Sequence, residues 1–226
     1  MSAALSLIVC WFPTAMPAGP SIGDPENISW AKFTDVLSTS RREGDKDGPC
    51  FAAARFKPEP DGKHVRRVGA NVLARTAVVL DIEPSKKTGK VPPSPDDAAA
   101  LVRKAGWAGV IYTSHNHTAA APRYRTVLLL SAEIDPALPV VESVADRLGL
   151  AGVTDTSKAG AESLFYLPSA NYGDLDQHQT LVIDGRPLNA GGLGKAAGRL
   201  QLIFYTCVPR CSSKYLILLC VDDNSQ

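Results

Sequence analysis

Residues 75–83 read Arg-Thr-Ala-Val-Val-Leu-Asp-Ile-Glu and decide the fold class. The apolar residues run without alternation from Ala77 to Leu80, which is typical of a strand buried on both faces of a sheet. Charge appears only at the end of the run, where Asp81 and Glu83 stand two residues apart. Because successive side chains of a strand point to opposite faces, these two carboxylates share one face. The stretch therefore predicts a buried strand that ends in an acidic pair.

The elements that follow this strand predict an α+β fold. Ser94 can cap a helix in which Pro95 takes the first position, and this helix stops near Gly106. The resulting order is strand, helix, strand, strand, helix, strand, which is the split βαβ pattern of a ferredoxin-like or RNA-recognition-motif-like antiparallel sheet packed by helices. The later elements are expected as strands over 108–113 and 123–131, a helix over 135–148, and short strands over 152–155 and 164–167.

The N-terminal third predicts an additional α/β module. Its apolar run over 5–12 is far shorter than the ~20 residues of a membrane span. No Lys or Arg precedes this run, so a buried first strand explains it better than a signal peptide. A Pro/Gly-rich loop is expected over 17–25, a short helix capped by Ser29 over 27–37, and strands over 50–56 and near 63–69.

Composition limits the class of protein. The 226 residues are 45% hydrophobic and 21% charged, which indicates a soluble globular chain with one substantial core. A net charge of +1 excludes a histone-like polyelectrolyte, but it allows nucleic-acid binding on one face. The locally basic stretch 41–75 is either a solvated hairpin or an arm that faces phosphates. Five unevenly placed cysteines indicate a reducing compartment, and we therefore expect the cytoplasm.

Two further polar clusters lie downstream of the acidic pair. Residues 112–118 read Tyr-Thr-Ser-His-Asn-His-Thr and precede a strand on which Arg123 and Arg125 share one face. Paired arginines suit a triphosphate or backbone phosphates, although ordinary surface arginines are the simpler interpretation. Asp155 means little alone. Beside an Asp-x-Glu pair, however, it supplies the third carboxylate of a two-metal nucleotidyl-transfer site, and such oxygen ligands suit Mg²⁺ or Mn²⁺.

In combination and order, these motifs resemble the archaeo-eukaryotic primase superfamily, and most closely the primase-polymerase domains of phage and plasmid replication proteins. The likeness covers roughly residues 5–185 and includes the Tyr-Leu-Pro-Ser run at 166–169. Residue by residue, Asp81 and Glu83 match the first motif and Asp155 matches the third. His117 best matches the histidine of the second motif, and His115 is the runner-up.

The resemblance implies an archaeo-eukaryotic primase-like catalytic core over 1–189, followed by a tail over 190–226 that departs from the family pattern. It implies a DNA primase or polymerase that makes primers or extends strands on single-stranded DNA in phage or plasmid replication. It further implies nucleoside triphosphates as substrates, a separate replicative helicase as a partner, and the bacterial cytoplasm as the location. The implied metal ligands for two Mg²⁺ or Mn²⁺ ions are Asp81, Glu83 and Asp155; His117 is catalytic; and the implied phosphate-binding residues are Ser114, His115, Arg123, Arg125 and Lys158.

Three other functions stay open at this point. A rolling-circle initiator or relaxase uses a metal-binding His pair, for which His115 and His117 have the spacing. A catalytically silent family member would bind nucleic acid or nucleotide only. A metal-dependent phosphodiesterase would use the same carboxylates. A zinc site is also conceivable, with candidate ligands Cys207, Cys211, Cys220 and His178. Their spacing, however, fits no strong zinc-binding template.

Overall fold

A computed structural model describes residues 5–14 and 21–193. The predicted tail over 190–226 therefore lies almost wholly outside the described residues, as do the three cysteines of the candidate zinc set. None of the described helices is long and apolar enough to cross a membrane. The strands are β1 (Ser6–Phe12), β2 (Ile22–Ser29), β3 (Arg42–Glu43), β4 (Cys50–Ala52), β5 (Ala54–Phe56), β6 (Val65–Arg66), β7 (Val72–Ile82), β8 (Gly109–Thr113), β9 (Tyr124–Ile134), β10 (Phe165–Tyr166), β11 (Ser169–Ala170) and β12 (Thr180–Ile183), and the helices are α1 (Trp30–Thr39), α2 (Pro95–Ala105) and α3 (Val140–Arg147).

The strand that decided the fold class, β7, lies inside an antiparallel sheet of order β12-β8-β9-β7-β5. The predicted α+β class and its split βαβ order are confirmed up to α3. The fourth strand differs from the prediction. Residues 152–155 form a 3₁₀ turn and a single bridge from Thr154 to Ile82 rather than a strand. The outer strand is instead β12, which pairs with β8 and was not predicted.

This sheet is covered on both faces. Alternate residues of β7, including Val78 and Leu80, pack against α2 and α3. The intervening Ala77 and Val79 pack against α1 and against the N-terminal sheet, which contains β1 and β4. The unalternating apolar run therefore reflects burial on both sides, as predicted.

The N-terminal module is a second sheet of order β10-β4-β1-β2-β6, in which the described pairs are antiparallel. The run over 5–12 is a buried strand, β1, as expected. The predicted strand over 50–56 is divided instead between the two sheets, since β4 pairs with β1 and β5 pairs with β7. Only Ala53 separates the two parts, and its carbonyl accepts a hydrogen bond of 3.1 Å from the Thr76 N–H. The predicted loop over 17–25 also gives way to β2, which begins at Ile22.

Local sequence signals set the helix ends. Ser29 caps α1 and Ser94 caps α2, each accepting a hydrogen bond from a backbone N–H three residues later. Gly106 ends α2 with a left-handed φ of 71°. The third helix begins at Val140 rather than at 135, because Pro139 disfavours the helical conformation of the residue before it.

Candidate active site

The acidic pair lies at the end of β7, on the face that is directed toward the N-terminal sheet. Ala77 and Val79 fix that direction because they pack against the N-terminal sheet, and Asp81 follows them in the same alternation. Glu83 stands one residue beyond the strand. The two carboxylates therefore share one face, as the sequence predicts.

Two arginines on the neighbouring strand face this pair. Asp81 stands opposite Arg125 in the register of β7 with β9. The Arg125 Nε lies 3.2 Å from the Asp81 Oδ1. Just past the paired residues, an Arg123 Nη1 donates to the Glu83 Oε2. Each carboxylate therefore has a cation beside it. Opposite charges at such cross-strand positions stabilise each other.

Arg125 is buried, with only 9% of its side chain exposed. Its guanidinium carbon lies 5.8 Å from the ring centroids of both Tyr112 and Phe165. Its Nη1 donates to the Tyr166 carbonyl oxygen at 3.1 Å, and the Tyr112 hydroxyl donates to the same oxygen at 3.1 Å. Burial raises the pKa of Tyr112 to about 12, so this phenol stays a hydrogen-bond donor at neutral pH. Arg125 therefore holds β10 against the end of β7.

A cleft opens above these ion pairs. Its volume is about 440 Å³ including space open to solvent. Polar groups from several parts of the chain meet in it: the end of β7, the loop after β8, the start of β9, the loop between β3 and β4, and strands β10 and β11. The lining residues are Lys46, Asp81, Ile82, Glu83, Ser114, His115, Asn116, Arg123, Arg125, Tyr166 and Ser169.

The two histidines of the predicted second motif occupy different places. His115 lines the cleft, and its Nδ1 lies 3.2 Å from the Ser169 hydroxyl oxygen. His117 is 8% exposed and lies behind the cleft, where its Nδ1 accepts a hydrogen bond of 3.1 Å from the Arg123 backbone N–H. Its ring packs against His178 at a centroid distance of 5.8 Å. The geometry therefore favours the runner-up, His115, for contact with a ligand and gives His117 a structural place. Which of the two histidines serves the second motif stays a prediction.

The third predicted carboxylate residue, Asp155, has its backbone next to Asp81, but its carboxylate lies outside the cleft lining. The Asp155 N–H donates to the Asp81 carbonyl oxygen at 2.8 Å. The Asp155 carboxylate accepts instead from the Ser157 N–H at 2.9 Å, and it does not line the cleft. Lys158, on the same 3₁₀ turn, is exposed and is not among the lining residues. Across residues 5–14 and 21–193, no three His, Cys, Asp or Glu side chains are gathered as a metal site.

Sequence reasoning missed one cleft residue of consequence. Lys46 belongs to the basic stretch over 41–75, and the charge count pointed to that stretch as a whole. Nothing in the sequence distinguished Lys46 from its neighbours, because the pairing of β3 with β11 brings its loop to the cleft. The charge count therefore indicated the basic stretch but not which of its residues lines the cleft.

Comparison with known proteins identifies the family of this chain. A family model described as the VapE N-terminal domain matches residues 29–183. This chain belongs to the VapE N-terminal domain family. The matched segment contains every cleft-lining residue.

Among solved structures, this VapE N-terminal domain is similar to the AEP domain of the primase-polymerase from cyanophage S-2L. The two are 9% identical, the TM-score is 0.41, and the similarity covers 85% of this chain and 88% of that one. No curated protein matches the chain.

Proposed function

We propose that this VapE N-terminal domain protein is a metal-dependent DNA primase-polymerase, which joins nucleotides on a single-stranded template. The observation that supports the proposal is the cleft itself. Asp81 and Glu83 lie on one wall of it, and Lys46, Ser114 and His115 line the same cavity. Carboxylates beside cationic and hydroxyl groups are what a site needs in order to hold both a hard cation and a triphosphate.

The carboxylates fit a hard divalent cation. Asp81 and Glu83 supply oxygen ligands from one strand end, and such ligands suit Mg²⁺ or Mn²⁺. A second ion would engage Asp155, whose backbone is already hydrogen-bonded to Asp81, once its carboxylate turns from the Ser157 N–H. When bound, divalent ions neutralise charge on the reacting phosphates and activate the attacking 3′-hydroxyl.

The remaining cleft residues orient the nucleotide. His115 and Ser114 would donate hydrogen bonds to the phosphates, and the exposed side of Arg123 would offset the charge of the leaving pyrophosphate. Burial lowers the pKa of His115, which favours the neutral form of the ring at pH 7. Holding the triphosphate in a fixed direction converts an encounter into an aligned displacement.

The template strand, the helicase and the location belong to the same proposal. Single-stranded DNA would lie on the basic surface that includes Lys86, Lys87 and Lys90, which are exposed in the loop after β7. A separate replicative helicase would supply that strand, and the site of action would be the cytoplasm of a bacterial host.

The test is primer synthesis and primer extension on single-stranded DNA with Mg²⁺ or Mn²⁺. Glu83→Gln should lower the rate by at least about 100-fold, since one ligand of the cation is lost. Asp35→Asn, an exposed carboxylate on α1, is the matched control and should match wild type. Wild-type incorporation by Glu83→Gln would show that the carboxylate assignment is wrong.

A catalytically silent member is the second candidate, and one observation favours it. Both cleft carboxylates already have an arginine partner, so a metal would have to displace or share those contacts. A silent protein would bind nucleotide or single-stranded DNA without incorporating label under any metal. Detectable template-dependent incorporation that Glu83→Gln abolishes excludes this candidate.

The relaxase alternative is disfavoured by the histidine geometry. A metal-binding pair needs both rings at one point, whereas His115 lines the cleft and His117 packs on His178 behind it. A covalent adduct between the protein and DNA would overturn this conclusion.

A further inference from the structure

We infer that two loops at the mouth of the cleft form a nucleotide grip, in which Lys46 binds phosphate and Tyr172 stacks on the base of the same nucleoside triphosphate. The loops cover residues 44–47 and 171–173. The inference rests on the proposed function, because it assigns a triphosphate to the cleft. It adds a base-binding surface and a phosphate ligand that the carboxylate, histidine and arginine motifs do not contain.

A small parallel unit of β3 and β11, separate from both large sheets, joins the two loops. Arg42 and Glu43 pair in parallel with Ser169 and Ala170, and the Gly44 N–H donates to the Ala170 carbonyl oxygen at 3.0 Å. The Gly173 N–H donates to the Glu43 Oε1 at 3.3 Å. Ser169 is the same residue that contacts His115 in the cleft. The unit therefore places both loops beside the predicted phosphate site.

Tyr172 presents an open aromatic face at this point. Its side chain is the most exposed of the large apolar and aromatic side chains described, at 82%. A Cβ built on Gly44 would lie 3.0 Å from the Tyr172 hydroxyl oxygen, and Gly44 has a φ of 114°. The positive φ therefore favours glycine at this position, and the hydroxyl end of Tyr172 lies against the backbone there. The exposed ring adds little to the core, but it offers the surface on which a nucleobase stacks.

Lys46 is held by its backbone and leaves its ammonium group available. Arg42 donates to the carbonyl oxygens of Lys46 at 3.2 Å and Asp47 at 2.9 Å. The Tyr166 hydroxyl donates to the Asp47 carboxylate at 2.8 Å, which fixes the end of the loop. Arg123 and Arg125 each have a carboxylate partner, and within the described residues no ion pair of Lys46 is found. Among the described cleft cations, Lys46 is thus the one that can bind a phosphate without first sharing or releasing a carboxylate partner.

The test compares three probes on the full chain: adenosine triphosphate, inorganic tripolyphosphate and a single-stranded oligothymidine. Tyr172→Ala should weaken adenosine triphosphate binding about tenfold and leave tripolyphosphate within twofold, because only the nucleotide carries a base. Tyr172→Phe should keep wild-type affinity. Lys46→Gln should weaken both triphosphates about tenfold, whereas the exposed control Lys63→Gln should change neither.

The outcomes separate this inference from the proposed function. If wild type binds neither triphosphate, the nucleotide site itself is wrong. If wild type binds both and Lys46→Gln binds them equally well, Lys46 is not a phosphate ligand. If Tyr172→Ala weakens only the oligothymidine, the ring contacts the template strand and the grip on the incoming nucleotide is overturned. Both side chains are exposed, so the variants should retain wild-type unfolding curves.

Discussion

Two arginines at the start of β9 face two carboxylates at the end of β7, one of each just outside its strand, yet the two ion pairs occupy different environments. The Asp81–Arg125 pair has 20% and 9% of its side chains exposed, whereas the Glu83–Arg123 pair has 32% and 29%. Arg125 also contacts the Tyr166 carbonyl and two aromatic rings. Arg123 has no such enclosure, since its side chain reaches into the open part of the cleft.

The same cross-strand pairing of an arginine with a carboxylate therefore has two different roles at positions two residues apart. A buried charge without its partner is costly, so the inner pair is fixed by the fold. An exposed pair contributes little to stability, so the outer pair can exchange partners when a ligand arrives. The sequence pattern Arg-Tyr-Arg opposite Asp-Ile-Glu does not reveal which arginine is which, because only the position of β10 over Arg125 decides it.

The largest expected effect comes from removing the inner arginine. Arg125→Met should lower the free energy of unfolding by about 3–5 kcal/mol, because it leaves Asp81 partly buried without its cation and removes the hydrogen bond to Tyr166. Arg123→Met, the matched control on the same strand face, should cost less than about 1 kcal/mol. Urea denaturation measures both, and equal losses would contradict the distinction between the pairs.

Substitutions of the two carboxylates should lower the free energy of unfolding in the same order, inner pair before outer pair, with a smaller difference between them. Asp81→Asn should cost about 2–3 kcal/mol, because Arg125 stays buried without a counter-charge. Glu83→Gln should cost less than about 1 kcal/mol while still impairing nucleotide incorporation. A destabilised Glu83→Gln protein would mean that the outer carboxylate is a structural group.

Salt should separate the pairs further. In double-mutant cycles, the coupling between Glu83 and Arg123 should be about 0.5 kcal/mol at low salt and vanish near 1 M NaCl, where the screening length is ~3 Å. The coupling between Asp81 and Arg125 should persist at the same salt, since protein rather than solvent surrounds it. Loss of both couplings together would show that the inner pair is also exposed to solvent.

The smallest effect concerns the histidine that supports the outer pair. Burial lowers the pKa of His117, whereas an unfolded histidine titrates near pH 6.5. The unfolded chain therefore binds the proton first, so this contribution to stability is present above about pH 6.5 and is lost as the pH falls below it. His117→Asn should flatten the fall in melting temperature between about pH 7 and pH 5.

The comparison of variants isolates His117 from an opposing group. His64 has a raised pKa, first through its hydrogen bond with Asp61, so its contribution is present at low pH and is lost as the pH rises. Because His64 is present in both proteins, its effect cancels in the difference. An unchanged pH slope in His117→Asn would show that the ring is not titrated on unfolding.

Much of the sheet that contains β7 could be predicted because its signals are local. The apolar run of β7, the Ser94 cap and the Gly106 stop are each set by neighbouring residues, and all three are found where expected. The acidic pair could also be assigned to one face, since the alternation of a strand determines it.

The errors arose where distant contacts decide structure. The division of 50–56 between two sheets depends on which strands lie beside it, and β12 is recognised only by its pairing with β8. The different surroundings of His115 and His117 depend on Ser169 and His178, which are more than 50 residues away along the chain, so the sequence leaves the assignment of the motif histidine open. Periodicity carries no information about such partners.

The single residue between β4 and β5 has a consequence for how the protein responds to a ligand. Ala53 joins the sheet that carries Tyr166 to the sheet that carries Asp81, so the cleft exists only when both sheets have formed and docked. The two halves should consequently unfold in one cooperative transition. A nucleotide that binds the native cleft would then stabilise the whole described chain by mass action, N-terminal strands included, and protect β1 from hydrogen exchange as strongly as β7.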